Sequence, residues 1–357
     1  MRPKKPHWRP DWPIGKSIIK TTPNSLDNTI QRTPSSPPVI AALPAQTNRP
    51  KWSVMIPVYN CYNCLEQNLL SVLAQDQGED LMQIEVVDDA STDGDVEALV
   101  KRIGKGRVGY FKQPENKGSL RNFETAINRA NGHLIHLLHG DDFVADGFYS
   151  KVGQLMEEYP EAGAAITEYQ YVDADSNKIW DNRPIDYQRG ILKNWLDRIG
   201  RNQLLQVPAV VVRRTTYEAL GGFYAVHYGE DWEMWVRIAA NYPVAYLPEV
   251  LARYRVHPFN VSYHSMSSGQ NIRDIEKVIN INVTHFPTEK RRQVSQLARR
   301  NFSVYYANIA HKIYHDYHQR RVALIQANGA LRLHINKTSL KQALKLYAKI
   351  LLCYKRR

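Results

Sequence analysis

Apolar and polar positions fall into short, regular blocks between residues 52 and 255. Ser53–Val58 is a continuous apolar run bounded by polar residues, the pattern of a strand buried on both faces. Residues 65–75 carry Leu65, Leu69, Leu70, Val72 and Leu73 at helical spacing. The alternation then repeats: a strand at Ile84–Val87, a helix at Val96–Ile103, a strand at Val108–Phe111, a helix at Ser119–Ala130 and a strand at His133–Leu138. Beyond these, the pattern predicts a helix at Phe148–Tyr159 and strands at Ala164–Tyr171 and Gln206–Val212. It then predicts a short helix at Thr215–Leu220 stopped by Gly221 and Gly222, a helix over 230–240, and strands at Val244–Leu247 and Leu251–Arg255. From about residue 270 the chain reads as helical and basic. Strands alternating with helices at this interval predict an α/β fold. The expected sheet is mixed and mainly parallel, flanked by helices, with a C-terminal helical extension.

Residues 1–50 lack periodicity and hold ten of the nineteen prolines. Such a polar, basic segment buries too little apolar surface to offset its ordering entropy, and is expected to be a disordered or loosely docked arm. The organisation read from the chain is therefore an arm over 1–50, a catalytic domain over 51–268 and a basic helical region over 269–357. No uncharged apolar run approaches the length of about 18 residues that a membrane-spanning helix needs.

Charge refines this division. The net charge is +12, yet residues 52–283 hold 22 Lys/Arg against 31 Asp/Glu. Residues 1–51 hold nine against two, and 284–357 sixteen against two. An acidic centre disfavours a nucleic-acid-binding core and suits cation binding. Three cysteines make no disulfide framework, and no apolar run follows the basic N-terminus as in a secretion signal. The expected location is cytoplasmic, with peripheral attachment at the inner face of the plasma membrane left open.

In α/β sheets, ligands sit beyond the carboxyl ends of the strands. Three such ends carry polar clusters: Tyr59 and Asn60, Asp88 and Asp89, and Asp141 and Asp142. Adjacent carboxylates at a strand end either repel or share a hard divalent cation such as Mg²⁺ or Mn²⁺; capping of the following turn is the competing reading. Glu230 and Asp231 open an apolar helix, which fits a cap as well as a general base. Cys61 and Cys64 lack a second ligand pair, and no dinucleotide-binding or P-loop glycine pattern is present. Trp232 and Trp235, three apart on a helix, are core residues by default, with sugar stacking by Trp232 as the alternative.

The order of these clusters is more specific than any one. VMIPVYN at 54–60 is followed by VVDDASTD at 86–93, NKGSLRN at 116–122 and LHGDD at 138–142. Arg213 to Phe223, GEDW at 229–232 and YRVH at 254–257 complete the series. Together they closely resemble the family-2 glycosyltransferases of GT-A fold over roughly residues 52–265.

The resemblance implies a nucleoside-diphosphate sugar donor, held by Pro57, Tyr59, Asn60, Asp89, Asn116, Arg121, Asp141, Trp232 and His257. Tyr59 would stack on the base, Asp89 would accept from a ring N–H, and Arg121 would lie near the diphosphate. Asp142, supported by Asp141, would bind Mg²⁺ or Mn²⁺; Asp231 would be the catalytic base with Glu230 beside it. A single base facing a single leaving group implies inversion at the anomeric carbon. His139 stands where the family often has an acidic residue, and is expected to be packed or solvated.

The implied acceptor is a hydroxyl of a saccharide or lipid-linked saccharide in polysaccharide, lipopolysaccharide or glycan assembly. Apolar residues from Leu340 to Leu351 interleaved with Lys341, Lys345 and Lys349 suit an anionic membrane surface; a helix packed on the domain with a solvated lysine face is equally compatible. A nucleotidyltransferase acting on sugar phosphates and a non-catalytic membrane-surface protein remain as alternative functions. The first lacks the glycine-rich basic loop it normally needs after the first strand.

Overall fold

The computed structural model describes residues 32–44, 48–256 and 261–352. The described residues divide into two compact units: one comprises residues 32–44, 48–199 and 203–255, the other residues 200–202, 256 and 261–352. The dividing point is thus Arg255/Val256 rather than residue 268.

The first unit is built on one ten-stranded sheet. Its strands are β1 (Trp52–Val58), β2 (Met82–Asp88), β3 (Gly109–Lys112), β4 (Leu134–Leu137), β5 (Phe143–Val144), β6 (Ala164–Val172), β7 (Lys178–Asp181), β8 (Gly190–Ile191), β9 (Val210–Arg213) and β10 (Val244–Arg255). Helices α1 (Tyr62–Leu73), α2 (Val96–Gly104), α3 (Ser119–Arg129), α4 (Phe148–Glu158), α5 (Trp195–Ile199), α6 (Arg214–Leu220) and α7 (Glu230–Asn241) connect them. The sheet order is β3-β2-β1-β4-β9-β6-β10-β5, with β7 beside β6 and β8 beside β10.

Pairing is parallel among β3, β2, β1 and β4 and between β6 and β10. It is antiparallel wherever β5, β7, β8 or β9 takes part. The expected mainly parallel character therefore holds for the first half, while the second half is mixed. The apolar runs of β1 and β2 are buried along almost their whole length, and the core includes Val54, Ile56, Leu65, Leu69, Val86 and Leu99.

Two expectations change for local reasons. Gln206–Val212 is not one strand: Pro208 sits in a 3₁₀ turn at Val207–Ala209 and the strand begins at Val210. The two strands read at 244–247 and 251–255 are one, β10, irregular between Leu247 and Val250 and again before Ala252. Pro248, which lacks an N–H, falls inside that irregularity.

β1 also sets the place of the site. Its pairing with β4 covers only Trp52–Met55. Pro57 lies past that ladder, so its missing N–H costs no strand hydrogen bond there. Beyond the ladder the Gly140 N–H donates to the Pro57 carbonyl at 3.1 Å. The chain leaves β1 toward β2 on one side while β4 lies on the other, the switch point at which α/β sheets open a ligand crevice.

The arm is ordered where it is described. Ile40 is buried, Gly222 N–H donates to the Pro38 carbonyl at 2.8 Å and Ala225 N–H to the Pro34 carbonyl at 2.9 Å. Periodicity could not reveal this segment, because it docks through backbone groups and single side chains rather than through a regular face.

The second unit contains α8 (Val261–Ser268), α9 (Gln270–Asn282), α10 (Thr288–Asp316), α11 (Arg320–Leu333) and α12 (Lys337–Leu351). A core of Met266, Ile309, Ala310, Ile313, Ala323, Ala327, Ala343 and Leu346 packs α8, α10, α11 and α12 together. Among the described residues no helix is long and apolar enough to cross a membrane.

Candidate functional site

Asp141 and Asp142 follow β4 through the tight turn at Gly140. A Cβ at Gly140 would lie 2.8 Å from Cys61 Sγ and 2.9 Å from Val58, so only glycine lets this turn pack against the end of β1. Asp142 is buried, and its Oδ1 accepts from the Arg255 N–H at 2.9 Å. Its Oδ2 and His139 Nε2 are buried without a hydrogen-bond partner among the described residues.

Ligand atoms of His139, Asp141 and Asp142 lie within 4.8 Å of one another. Burial, then the neighbouring Asp141, pushes the Asp142 carboxyl well above the usual carboxylate range. Unpartnered buried acceptors converging on one point are costly unless something shares them, and the set fits a divalent cation. His139 is indeed packed, stacked on Phe123 at 5.0 Å, but a ring nitrogen also lies within reach of this cluster.

Arg255 braces the cluster. Its guanidinium donates to the Asp141 carbonyl (2.8 Å), the Ala174 carbonyl (2.8 Å) and Gln67 Oε1 (2.5 Å). No local pattern in the YRVH segment marks Arg255 as a site residue; His257 of the same segment lies outside the described residues.

Asp231 opens α7. Its Oδ2 accepts from Gln203 Nε2 at 2.6 Å and its Oδ1 from the Trp232 N–H at 2.7 Å. Burial raises its pKa to about 6 against the lowering effect of these two donors. A carboxylate poised near neutrality is suited to taking a proton. Glu230 lies beside it in the first turn.

An aromatic group lies near Asp142, Asp141 and Asp231. Tyr171 stacks on Trp180 at 4.4 Å and meets Tyr254 edge-on at 5.6 Å. Gln206 Nε2 reaches the Tyr171 hydroxyl at 3.4 Å, so the 203–206 loop touches both this group and Asp231. Burial raises the pKa of the Tyr254 hydroxyl, and the charges of Asp142, Asp141 and Asp231 push the same way. One phenol thus senses both acidic pairs. β7, which supplies Trp180, is four residues long and carried no readable period.

The remaining residues separate. Tyr59 is 52% exposed at the end of β1 and open to stacking. Asn60, at φ 51°, donates its N–H to Ser91 Oγ at 3.1 Å and accepts from the Thr92 N–H at 2.8 Å, tying the first two strand-end loops together. Arg121 lies in the first turn of α3 and pairs with Glu124 at 2.6 Å.

Asp89 is only 1% exposed. Its Oδ1 accepts from the Lys117 N–H at 2.8 Å, and its Oδ2 from the Gly118 N–H at 2.9 Å and Asn116 Nδ2 at 3.0 Å. The carboxylate shapes the 116–118 loop, whose donors compensate its burial.

Two further expectations are corrected. Trp232 is fully buried, with its Nε1–H donated to the Ile199 carbonyl at 2.6 Å, so it offers no face for a sugar. Pro57 is buried within β1 and contributes its carbonyl to Gly140. Burial pushes both Cys61 and Cys64 thiols up, against redox or metal chemistry at that pair.

Comparison with known proteins agrees with this geometry. Residues 53–215 match the family model described as glycosyl transferase family 2. An uncharacterised protein of Mycobacterium tuberculosis is 27% identical over 255 residues, which is 68% of this chain and 77% of that protein. An uncharacterised glycosyltransferase of Haemophilus influenzae is 30% identical over 146 residues, 39% of this chain and 56% of its own. The chain spans about half the length of other mycobacterial relatives.

Among solved structures, residues 1–349 of TarS from S. aureus, in complex with UDP-GlcNAc, superpose with a TM-score of 0.62 at 13% identity. The superposition covers 86% of this chain and 93% of that one. The fold is that of GT-A glycosyltransferases, and residues 53–215 carry the likeness to glycosyl transferase family 2.

Proposed function

We propose that this protein is a metal-dependent, inverting glycosyltransferase that moves a sugar from a nucleoside-diphosphate sugar to an acceptor hydroxyl. The acceptor belongs to polysaccharide, lipopolysaccharide or glycan assembly. The observation that carries this reading is the pairing of two acidic sites beside one aromatic group: ligand atoms of His139, Asp141 and Asp142 gathered within 4.8 Å at one, and an Asp231 carboxyl with a pKa of about 6 at the other. A UDP-sugar is the donor to test first, since the TarS structure holds UDP-GlcNAc.

In this reading Tyr59 stacks on the nucleotide base and Asn116 borders it. Asp142, Asp141 and His139 would hold Mg²⁺ or Mn²⁺, which would supply positive charge to a departing diphosphate. Arg121 lies on the diphosphate side. Asp231 takes the proton of the acceptor hydroxyl, which is a weak nucleophile until deprotonated, with Glu230 beside it. Tyr171 and Trp180 offer the apolar face against which a sugar ring packs. One base and one leaving group on opposite sides of the anomeric carbon give inversion.

The test has three parts. Nucleotide sugars, UDP-GlcNAc first, are screened by thermal shift with and without Mn²⁺, since a ligand bound only by the native state raises apparent stability. The product's anomeric configuration is read by NMR. Asp231→Asn should abolish transfer while nucleotide binding survives; persistent transfer would overturn the base assignment, and pyrophosphate as product would favour a nucleotidyltransferase.

A second property rests on α12. Leu340, Leu344 and Leu351 are exposed and share one face, beside an exposed row of Lys337, Lys341 and Lys345. The remaining face buries Ser339, Ala343 and Leu346. An exposed leucine stripe flanked by lysines is complementary to an anionic lipid surface, and we assign peripheral membrane attachment to this helix. Binding to phosphatidylglycerol vesicles but not to phosphatidylcholine vesicles, lost in K341E/K345E, is the expected outcome.

A further inference from the structure

Residues 32–44 run as a strap across one side of the first unit. Arg32 Nη1 donates to Asn116 Oδ1 at 2.8 Å and Nη2 to the Asn116 carbonyl at 3.1 Å. Asn116 belongs to the 116–118 loop that Asp89 holds. One residue on, Thr33 Oγ1 lies 2.5 Å from His227 Nε2, and the Pro34 carbonyl accepts from the Ala225 N–H. Residues 222–229 are the loop that delivers Glu230 and Asp231 to the start of α7. The strap therefore ties the presumed nucleotide side of the site to the base side.

The anchoring is extensive. Arg214, fully buried, donates to the Ala41 carbonyl at 2.8 Å and to the Ile127 carbonyl at 2.7 Å, which joins the strap to α3 and α6. The Ala41 N–H donates to Asn128 Oδ1 at 3.1 Å. Gly221 has φ 79°, and a Cβ there would lie 2.8 Å from both Pro37 Cβ and the Pro38 carbonyl. The glycine pair that stops α6 is thus also the floor on which the strap lies. Pro34, Pro37, Pro38 and Pro44 restrict the free chain, so less conformational entropy is lost on docking.

We infer that this strap is a positioning element of the donor site: Arg32 fixes Asn116, and with it the 116–118 loop, in the form that receives the nucleotide. The inference rests on the glycosyl-transfer reading. Arg32 acts through Asn116 rather than on the reacting atoms. Loss of its two charge-assisted hydrogen bonds should release the loop and weaken nucleotide binding about tenfold.

The test compares full-length wild type, Arg32→Ala, Arg32→Lys and, as a control, Val39→Ala, whose side chain lies on the strap but is 81% exposed. Calorimetric titration with UDP, GDP, dTDP and CDP in the presence of Mn²⁺ identifies the nucleotide that binds wild type most tightly. Arg32→Ala should bind it about tenfold more weakly, Arg32→Lys should recover part of the loss, and Val39→Ala should match wild type. Arg32→Ala should raise KM for the donor sugar with kcat nearly unchanged, a split that general destabilisation does not produce.

Equal affinity in wild type and Arg32→Ala overturns the strap's role. So does a loss that Arg32→Lys fails to reduce. Should wild type bind none of the four nucleotides, the failure falls on the glycosyl-transfer reading. Hydrogen exchange at residues 116–118 and 222–229 then decides the strap: faster exchange in Arg32→Ala supports it, and unchanged exchange overturns it.

Discussion

Asp141–Asp142 and Glu230–Asp231 are the same kind of feature in sequence, two adjacent acidic residues beside a glycine, yet they differ in chemistry. Asp142 stands at a strand end with one oxygen held by the Arg255 N–H and the other unpartnered among the described residues, and ligand atoms of His139 and Asp141 lie within 4.8 Å of its carboxylate. Asp231 stands at a helix start with both oxygens occupied by N–H donors. An orphaned oxygen among other ligands is arranged to share a cation. A satisfied, half-buried carboxylate with a pKa of about 6 is arranged to exchange a proton. Neighbours, rather than the dipeptide, divide the two roles.

The strongest way to break this comparison is to remove one carboxylate at a time. Asp142→Asn should lower transfer by about a thousandfold and abolish the Mn²⁺ dependence of nucleotide binding. Asp231→Asn should lower transfer comparably, within the range of about 10²–10⁴ that a general base contributes, and keep that dependence. Parallel calorimetric titrations with UDP and Mn²⁺ distinguish the two; identical phenotypes would merge the roles.

The next test is pH. With Asp231 as base, kcat should fall as pH drops through about 6. Gln203 lowers that pKa by donating to the carboxylate, so Gln203→Ala should move the midpoint upward. A midpoint that stays put would remove Asp231 as the titrating group.

Stability should respond with the opposite sign. The folded chain holds this proton more tightly than the unfolded chain, whose carboxyl titrates near the reference value of about 3.9. The group's contribution is therefore complete below about pH 4 and lost as pH rises through about 6. Asp231→Asn should accordingly melt higher than wild type at pH 7.5 and nearly equally at pH 4, by calorimetric scans. The buried Gln203 Oε1, otherwise unpartnered among the described residues, is at hand for the new amide after a flip of Gln203.

The smallest effect sharpens the account of Trp232. Trp232→Phe removes the hydrogen bond to Ile199 and should cost about 1 kcal/mol of stability while leaving donor KM unchanged. Trp180→Ala should do the reverse, with little effect on stability and a several-fold loss of transfer efficiency.

Much of the fold was legible because the first half is built of units that advertise themselves. Continuous apolar runs made β1 and β2 readable, and helical spacing made α1 to α4 readable. The second half was less legible for physical reasons. β5, β7 and β8 are two to four residues long, too short for a period. β10 is interrupted by its own irregularities. The acidic candidates were visible as residue types, whereas Gln203, Arg255, Tyr171 and Trp180 carried no pattern that set them apart from other surface or core residues.

By itself the sequence determined the alternating α/β order, the acidic centre between basic ends, and the strand ends at which chemistry had to lie, because these follow from local periodicity and charge. Tertiary structure alone decided which polar groups are buried and who satisfies them. It turned Asp89 inward to hold a loop, enclosed Trp232 in the core, brought Gln203 onto Asp231 from 28 residues away, and docked an aperiodic proline-rich segment on the 116–118 and 222–229 loops. Those outcomes depend on desolvation and on partners distant in sequence, and neither is written in the local order of residues.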